Sequence, residues 1–336
     1  MKAFIQKVTA REHLSRSEAM EAMRTIMDGK ATEGEIAALL VGLKMKGETT
    51  DELLGFVTVM REKSVKVEIE DKDAIDMCGT GGDASGTFNI STVASFVVAG
   101  AGVTVAKHGN RSVSNSCGSA DVLSALGIKI DLSHDNIAAC INSVGIGFLF
   151  APLFHPAMKF AAKPRKELGV KTCFNMLGPM TNPAGVQRQL VGAYSDDAAT
   201  MMASVFAALG ARRVCVVHAA DGLDEISLGA STTITEVTDG MVRAPIQITA
   251  TTLGLPSAAP SMIQGSSAEA NADIARRILG GENGPHRNIV LANAAAGLFV
   301  AGRVHEIRDG VELAADSIDS GKAARKLELL REFSHS

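Results

Sequence analysis

Hydrophobic and polar positions follow two different patterns along the chain, and the change comes near residue 67. Before that point, apolar residues such as Ile36, Leu39, Leu40 and Leu43 recur at helical spacing, so each segment can bury one face. Three capping boxes mark helix starts here: Ser15 with Glu18, Thr32 with Glu35, and Thr49 with Glu52. The pattern predicts a small helical bundle over residues 1–66.

Beyond the charged stretch of residues 63–72, short apolar and β-branched runs alternate with helical segments. This alternation predicts an α/β domain around a largely parallel sheet. The predicted strands cover residues 103–106, 147–150, 190–193 and 214–218, with a later hairpin at 234–237 and 241–248. The predicted C-terminal helices cover residues 268–279, 288–301 and 311–331.

Composition narrows the class of protein. The 336 residues are 46% hydrophobic and 21% charged, as in a soluble globular protein of about two domains, and the net charge of -4 gives no general attraction to nucleic acid or membrane surfaces. We see neither a signal peptide nor an apolar stretch long enough to span a bilayer, and therefore expect a cytoplasmic protein. The five cysteines lack C-x-x-C spacing, which indicates reduced thiols.

Candidate chemistry begins with two segments rich in hydrogen-bond donors. Residues 107–121 join Lys107 and Arg111 to glycines and a row of small polar side chains. Residues 76–83 carry Gly79, Gly81 and Gly82 after a predicted strand, so backbone N–H groups can approach a phosphate closely. The glycine spacing fits neither a Walker loop nor a dinucleotide fingerprint, and alone it is more often an ordinary turn. Together the segments predict a polyanionic ligand.

Residues 89–92 add donors where an apolar helix begins. Ser91 and Thr92 would stand at the positive end of that helix, which favours an anion. A plain helix cap is the alternative, and the two roles can coexist.

The acidic segment 221–225 follows the predicted strand that ends near His218. Its carboxylates, Asp224 and Glu225 among them, should lie at the carboxyl edge of the sheet, where ligands of α/β proteins collect. Magnesium is usually held by one or two carboxylates with substrate phosphates and water. The segment therefore predicts a Mg²⁺ site, although without the phosphate segments a solvated acidic turn would be the better interpretation.

These motifs, in this order, resemble anthranilate phosphoribosyltransferase of the tryptophan pathway over nearly the whole chain. Further matches are the FHPAM, RKELG and FNMLGPMTNP segments at residues 154–158, 165–169 and 174–183. Asn115 is a departure, because the family commonly has serine there, and we expect it to preserve hydrogen bonding to phosphate.

The resemblance implies a small α-helical domain, residues 1–66, and a larger α/β domain, residues 67–336, that binds 5-phosphoribosyl 1-diphosphate (PRPP). A helical segment near residues 160–185 is expected to return to the first domain. The family transfers the phosphoribosyl group of PRPP to the amine of anthranilate, uses two Mg²⁺ ions and commonly forms a homodimer.

The resemblance also implies roles for individual residues. Lys107 would stabilise the departing diphosphate, and His108 would support it. Arg165, expected at a helix start, would bind the anthranilate carboxylate through two parallel hydrogen bonds, or else be a surface cation paired with Glu167. The other anthranilate residues would be Gly79 and Asn110. The metal residues would be Ser91 with Glu225 for one ion and Asp224 with Glu225 for the other. The PRPP residues would be Gly79, Gly82, Asp83, Thr87, Asn89, Ile90, Ser91, Thr92, Lys107, His108, Gly109, Asn110, Arg111, Ser112, Val113, Ser114, Asn115 and Ser119.

Two rival functions remain open at this point. A pyrimidine nucleoside phosphorylase resembles this fold and also handles ribosyl groups and phosphate, but Arg165 and the segment at residues 175–183 resemble the anthranilate enzymes. A non-catalytic nucleic-acid-binding relative is the other rival, and the net charge of -4 and the intact Asp224-Glu225 pair argue against it. Leu39, Leu40, Val41 and Leu43 exceed what one buried face requires, and this surplus predicts a homodimer contact.

Overall fold

The computed structural model describes residues 1–81, 86–111 and 117–336. Six of the predicted site residues lie outside these ranges: Gly82, Asp83, Ser112, Val113, Ser114 and Asn115.

The chain begins with a bundle of helices, as predicted. The Ser15, Thr32 and Thr49 side chains each accept a hydrogen bond from the backbone N–H three residues on, so all three capping boxes form. The helices are α1 (Lys2–Thr9), α2 (Arg16–Met27), α3 (Glu33–Lys46) and α4 (Thr50–Lys63).

One capping box is buried together with an ion pair. The Glu52 side chain is 0% exposed and lies 2.8 Å from the Lys46 ammonium, which is 1% exposed. Glu52 Oε1 also accepts from the Leu14 backbone N–H at 2.8 Å. This carboxylate therefore ties the α1–α2 connection to the start of α4.

Strands and helices then alternate to the end of the chain, which confirms the predicted α/β class. The strands are β1 (Ile75–Gly79), β2 (Val105–Gly109), β3 (Ile146–Phe150), β4 (Arg188–Gly192), β5 (Arg213–Ala219), β6 (Thr232–Thr238), β7 (Met241–Val242) and β8 (Ile246–Ile248). The helices are α5 (Ile90–Gly100), α6 (Ser119–Ala125), α7 (His134–Val144), α8 (Ala151–Phe154), α9 (Lys159–Leu168), α10 (Cys173–Leu177), α11 (Asp196–Ala208), α12 (Ala268–Leu279), α13 (Pro285–Val300), α14 (Asp309–Asp319) and α15 (Lys322–Ser334). Short 3₁₀ helices cover Pro156–Met158, Gly178–Thr181, Thr251–Leu253 and Pro260–Ile263.

The strands form one sheet in the order β3-β2-β1-β4-β5-β6-β7, with β8 also paired to β6. The first five strands in this order, β3, β2, β1, β4 and β5, are parallel to one another. Strand β6 is antiparallel to β5, β7 and β8. The predicted hairpin is interrupted, since β7 and β8 pair with opposite ends of β6. Pro245 lies in the gap between them, where a missing N–H cannot join the ladder.

The helix predicted over residues 311–331 is wrong as a single element. Helix α14 ends at Asp319 and α15 begins at Lys322. Gly321 between them has φ +74°, a left-handed conformation that glycine adopts without steric cost and that ends a helix.

The segment that follows β3 returns to the helical bundle. Ala161 of α9 and Cys173, Phe174 and Met176 of α10 belong to the same apolar cluster as the side chains of α1 to α4. Helix α3 packs against both α1 and α9. The bundle is therefore completed by chain that lies more than 90 residues further along.

This packing contradicts the prediction that α3 carries surplus apolar surface. Leu39, Leu40 and Leu43 are at most 1% exposed within the single chain, and Val41 is half-buried. The three leucines are therefore not available for the homodimer contact predicted from them, because α3 has a packing partner on more than one side. In the part of the chain that the structure describes, no helix is both long and apolar enough to cross a membrane.

Candidate functional site

The predicted phosphate segments meet at the carboxyl edge of the parallel sheet. Strand β1 has β2 on one side and β4 on the other, so the chain order reverses beside β1. Ligands of open α/β sheets bind at such a switch point, outside the carboxyl ends of the strands. The ends of β1, β2 and β5 each carry residues predicted for the site.

Two facing glycines make room for the acidic loop. Gly79 pairs with Gly192 at the ends of β1 and β4. A Cβ atom on Gly192 would overlap the Asp224 carbonyl oxygen, and one on Gly79 would lie 2.7 Å from Asp224 Oδ2. The Gly81 N–H donates to the same Oδ2 at 2.9 Å. Close approach, rather than a special backbone angle, thus requires glycine at both strand ends.

The second acidic residue lies against the start of α5. Glu225 Oε1 accepts from the Ser91 backbone N–H at 3.2 Å, at the positive end of the helix. Asn89 precedes the helix, and its Nδ2 donates to the Cys117 carbonyl at 2.9 Å while its Oδ1 accepts from Asn271 at 3.1 Å. The structure thus brings the predicted metal residues Ser91 and Glu225 together.

The remaining residues predicted around α5 are less exposed. Ile90 and Thr92 are buried in the first turn of the helix, and Thr87 pairs with Gln264 in an isolated β-bridge.

Lys107 is buried in the middle of β2. Its side chain is directed under the site, where Nζ donates to the Met77 carbonyl and lies 3.4 Å from Ser91 Oγ. Burial lowers the pKa of the ammonium, and the nearby carboxylates of Asp76 and Glu225 oppose that shift. The ammonium is thus held where the predicted PRPP loops meet.

Asp76 is a supporting residue that sequence reasoning missed. It is fully buried, and it accepts from the His108 backbone N–H at 3.0 Å and from Asn182 Nδ2 at 2.9 Å. Burial raises the pKa of its carboxyl, and Lys107 opposes the shift. A charged residue inside the apolar run of β1 was the signal that could have identified it.

Two histidines pack together next to Lys107. His108 and His155 are each 6% exposed, and their ring centroids lie 5.2 Å apart at an interplanar angle of 55°. Burial lowers the pKa of His108 to about 3 and that of His155 to about 4, so both rings are neutral near pH 7. His155, like Asp76, was missed as a functional candidate.

Residues 109–119 form the outer wall next to β2. Ser119 Oγ donates to the Asn110 carbonyl at 3.2 Å, and a Cβ atom on Gly109 would collide with that hydroxyl. Arg111 is exposed and pairs with Asp121 at 2.6 Å. Asn110 Oδ1 accepts from the Arg111 backbone N–H at 2.7 Å.

Arg165 lies in the last turn of α9, so the predicted position at a helix start is wrong. Pro164 suggested a start because proline favours the first turn, but the helix begins at Lys159, directly after the 3₁₀ turn Pro156–Met158. The predicted alternative partner, Glu167, instead lies 4.0 Å from Lys163.

The Arg165 guanidinium stacks over the ring of Phe174, 5.0 Å from its centroid. Within residues 1–81, 86–111 and 117–336, no carboxylate forms an ion pair with it. Burial lowers the pKa of the guanidinium. A half-buried cation without a counter-ion is suited to binding an anionic ligand.

The donor set fits magnesium better than a metal with a full protein cage. Asp224 and Glu225 supply carboxylate oxygens and Ser91 a hydroxyl, which are the hard oxygen ligands that Mg²⁺ prefers. No group of three or more His, Cys, Asp or Glu side chains among the described residues could hold a metal ion alone.

Comparison with known proteins agrees with this geometry. A family model described as the helical bundle domain of a glycosyl transferase family matches residues 2–64, and one described as the a/b domain of that family matches residues 71–324. An anthranilate phosphoribosyltransferase from Moorella thermoacetica is 52% identical over 330 residues, which cover 98% of this chain and 97% of the relative.

Two solved structures share the fold over the full chain. The crystal structure of anthranilate phosphoribosyltransferase from Thermus thermophilus superimposes with a TM-score of 0.93 at 39% identity, covering 99% of both chains. The enzyme from Saccharomyces cerevisiae in complex with PRPP and Mg superimposes with a TM-score of 0.91 at 26% identity, covering 99% of this chain and 97% of that one.

Proposed function

The chain belongs to the anthranilate phosphoribosyltransferase family, and from that membership we propose which of its residues carry out the reaction. The enzyme transfers the phosphoribosyl group of PRPP to the amine of anthranilate in L-tryptophan biosynthesis, giving N-(5-phosphoribosyl)anthranilate and diphosphate. The observation that carries the site assignment is the pair of contacts that join the acidic loop to both phosphate segments, Gly81 to Asp224 and Ser91 to Glu225.

We assign PRPP to the carboxyl edge of β1 and β2. The loop after Gly79 and the start of α5 meet the acidic loop at this edge, and Lys107 places a buried ammonium beneath it. Donors fixed before the reaction stabilise charge without a reorganisation cost. The diphosphate, which gains charge as it leaves, would therefore lie between these loops and Lys107.

We assign magnesium to the same edge of the sheet as PRPP. Ser91 and Glu225 would hold one ion, and Asp224 with Glu225 would hold a second; the two contacts of the acidic loop support this division. When bound with PRPP, magnesium neutralises charge on the diphosphate and makes it a better leaving group.

We assign anthranilate to the side of the site formed by α9 and α10. Arg165 would receive the carboxylate, and Asn110 and Gly79 would border the ring from the PRPP side. In the reaction the amine nitrogen bonds to C1 of the ribose, the bond from C1 to the diphosphate oxygen breaks, and the nitrogen loses one proton. Catalysis by orientation alone could contribute about 7–11 kcal/mol.

Three further assignments complete the proposal. Residues 1–66, together with the segment near 160–185, form the helical domain, and the shared apolar cluster that includes Ala161 and Phe174 supports this. The active form is a homodimer, whose contact must lie outside the buried leucines of α3. The protein is cytoplasmic, a location supported by its five free cysteines.

The test is the loss of anthranilate fluorescence in the presence of PRPP and Mg²⁺. We expect the signal to fall with time in a reaction that needs all three components, and chelation of Mg²⁺ to stop it. Thymidine or uridine with inorganic phosphate is the parallel assay for a pyrimidine nucleoside phosphorylase. Phosphorolysis there, with anthranilate left unconsumed, would overturn the proposal.

A further inference from the structure

One polar side chain lies inside the apolar helix α13. From Ile289 to Val300 every residue of this helix is buried, and all of them are apolar or glycine except Asn293, which is 0% exposed. A buried amide costs free energy unless it is hydrogen-bonded, so its partners indicate its role. The helix packs against α5 and against β1, β4 and β5, which are elements that carry the site.

The partners of Asn293 include both backbone groups of Ile226, the residue that follows the acidic pair. Asn293 Oδ1 accepts from the Ile226 N–H at 2.9 Å, and Nδ2 donates to the Ile226 carbonyl at 3.1 Å. Nδ2 also donates to the Ile289 carbonyl of its own helix at 2.9 Å. An N–H can bond only to the amide oxygen and a carbonyl only to the amide nitrogen, so the three contacts also fix the orientation of the amide.

This contact holds the peptide group that joins Glu225 to Ile226. The Ile226 N–H belongs to that peptide, and because a peptide group is planar, holding the N–H also holds the Cα atom of Glu225. From that Cα atom the side chain extends to the Ser91 N–H, which Oε1 meets at 3.2 Å. The direction of the Glu225 carboxylate therefore depends on Asn293.

Other contacts of the acidic loop are local. Ser227 Oγ donates to Asp221 Oδ2 at 2.6 Å, and the Ser227 N–H donates to Thr232 Oγ1 at 3.0 Å. Both join residues that are at most six positions apart, so they close the loop on itself. Asn293 lies 67 positions from Ile226, and it connects the loop to a separate element of the fold.

That element also lies against the other side of the predicted metal site. A Cβ atom on Gly297 of α13 would lie 3.0 Å from the Val98 side chain of α5 and 2.9 Å from Met77 Sδ of β1, so the helix is in close contact with both. Helix α5 begins with the turn that contains Ser91. Helix α13 is thus a common support for Ser91, through α5, and for Glu225, through Asn293.

We propose that Asn293 is a positioning residue for magnesium binding, because it holds the Glu225 carboxylate against the start of α5, where Glu225 and Ser91 would bind the ion. This inference rests on the function proposed above. Asn293 is itself fully buried and acts through the Ile226 backbone. Replacement of residues that orient the ligands of a metal typically lowers metal affinity about 10–100-fold.

The test measures the binding of inorganic diphosphate to the full chain by calorimetry over a series of Mg²⁺ concentrations. Asn293→Leu keeps a side chain of similar size but no hydrogen-bonding group. We expect it to need about 10-fold more Mg²⁺ than the native protein for half-maximal diphosphate affinity, and high Mg²⁺ to restore the native affinity. An unchanged Mg²⁺ requirement, or a loss that high Mg²⁺ does not restore, would overturn the inference.

Two further variants separate positioning from stability. Ser317→Ala is the matched control, because it also removes a buried side-chain hydrogen bond to the backbone, that to the Val97 carbonyl at 2.7 Å, from a helix that contacts α13. It should leave the Mg²⁺ requirement unchanged, and a shift equal to that of Asn293→Leu would count against Asn293. Asn293→Ser replaces Asn293→Leu if the latter does not fold. Its hydroxyl can bond to the Ile289 carbonyl but is too short to reach Ile226, so the same higher Mg²⁺ requirement is expected.

A double variant tests whether the effect passes through Glu225. If it does, adding the Asn293 substitution to Glu225→Ala should raise the Mg²⁺ requirement no further. Additive losses would mean that Asn293 acts elsewhere and would refute the proposal. A native protein that binds diphosphate without any need for Mg²⁺ refutes the proposed metal site instead, whereas a Mg²⁺-dependent native protein with unaltered Asn293 variants refutes this inference alone.

Discussion

Replacement of Arg165 by alanine should separate the two substrates. The guanidinium is half-buried, one face rests on Phe174, and no carboxylate in the described part of the chain pairs with it. Its in-plane N–H donors are thus available for a planar anion. The substrate carboxylate would supply the missing counter-ion, and Arg165→Ala removes that interaction without leaving a protein carboxylate unpaired.

The size of the effect follows from this arrangement. A hydrogen bond to a charged group contributes about 1.5–3 kcal/mol, and a bidentate contact provides two, less the cost of desolvating the carboxylate. We expect a loss of roughly 2–4 kcal/mol in kcat/KM for anthranilate, or roughly 30- to 900-fold. The apparent KM for PRPP should change little. Arg165→Lys keeps the positive charge but loses the planar guanidinium with its two parallel donors. Its kcat/KM for anthranilate should therefore lie between those of the native protein and of Arg165→Ala.

The assay follows anthranilate fluorescence while each substrate is varied in turn. Lys166→Ala is the control, because Lys166 is an exposed cation on the same helix turn and should change neither constant. Lys107→Ala should show the reverse pattern, with the loss on the PRPP side, since its ammonium lies beside Ser91. The assignment fails if Arg165→Ala weakens both substrates equally, or neither, or behaves as Lys166→Ala does.

Three further outcomes are expected. Replacing Asp224 and Glu225 together by alanine should lower turnover strongly and flatten its dependence on Mg²⁺, measured in a metal titration with circular dichroism to check the fold. Glu52→Ala should lower the free energy of unfolding by about 3–5 kcal/mol in urea titrations, because it leaves the buried Lys46 ammonium without its carboxylate partner. Lowering the pH from 7 to 5 should destabilise the fold by about 2 kcal/mol for each of the two buried histidines, His108 and His155. In the unfolded chain their pKa is 6.5, so both rings take up a proton over this range. In the folded protein their pKa values are about 3 and 4, so neither ring does. Thermal melts of the native protein and of His155→Phe check this, and the variant should lose less.

A specific result would contradict each of these three predictions. An unchanged Mg²⁺ dependence in the double variant would remove the acidic loop from the metal site. Glu35→Ala is the control for Glu52→Ala, since it occupies the same capping-box position on an exposed surface and should cost less. Equal acid sensitivity of native protein and His155→Phe would mean that other groups take up the protons.

The local signals in the sequence were sufficient for most elements. Capping boxes at Ser15, Thr32 and Thr49 predicted three helix starts correctly, because the cap is formed by residues three positions apart. The parallel sheet followed from alternating elements. The apolar residues of α3 led to a wrong prediction because α3 packs against α9 as well as α1. Periodicity carries no information about a segment as distant in the chain as α9.

The site was predictable only where a motif carries its own chemistry. The glycine and lysine segments and the acidic pair could be identified because such residues cluster in sequence. Asp76 and His155 could not, since each acquires its role from partners far along the chain, Asn182 for the first and His108 for the second. Arg165 was predicted at a helix start because it follows Pro164. The structure instead has Pro164 within α9 and Arg165 in the last turn of that helix.

The return of α9 and α10 to the bundle has a consequence for synthesis on the ribosome. Domains generally fold as units, with the N-terminal part emerging first. Here the leucines of α3 obtain their full set of neighbours only after the segment at residues 159–177 has been made, so the first four helices must wait with apolar surface uncovered. A stall between residues 66 and 159 would therefore prolong the time during which this apolar surface is exposed to other chains.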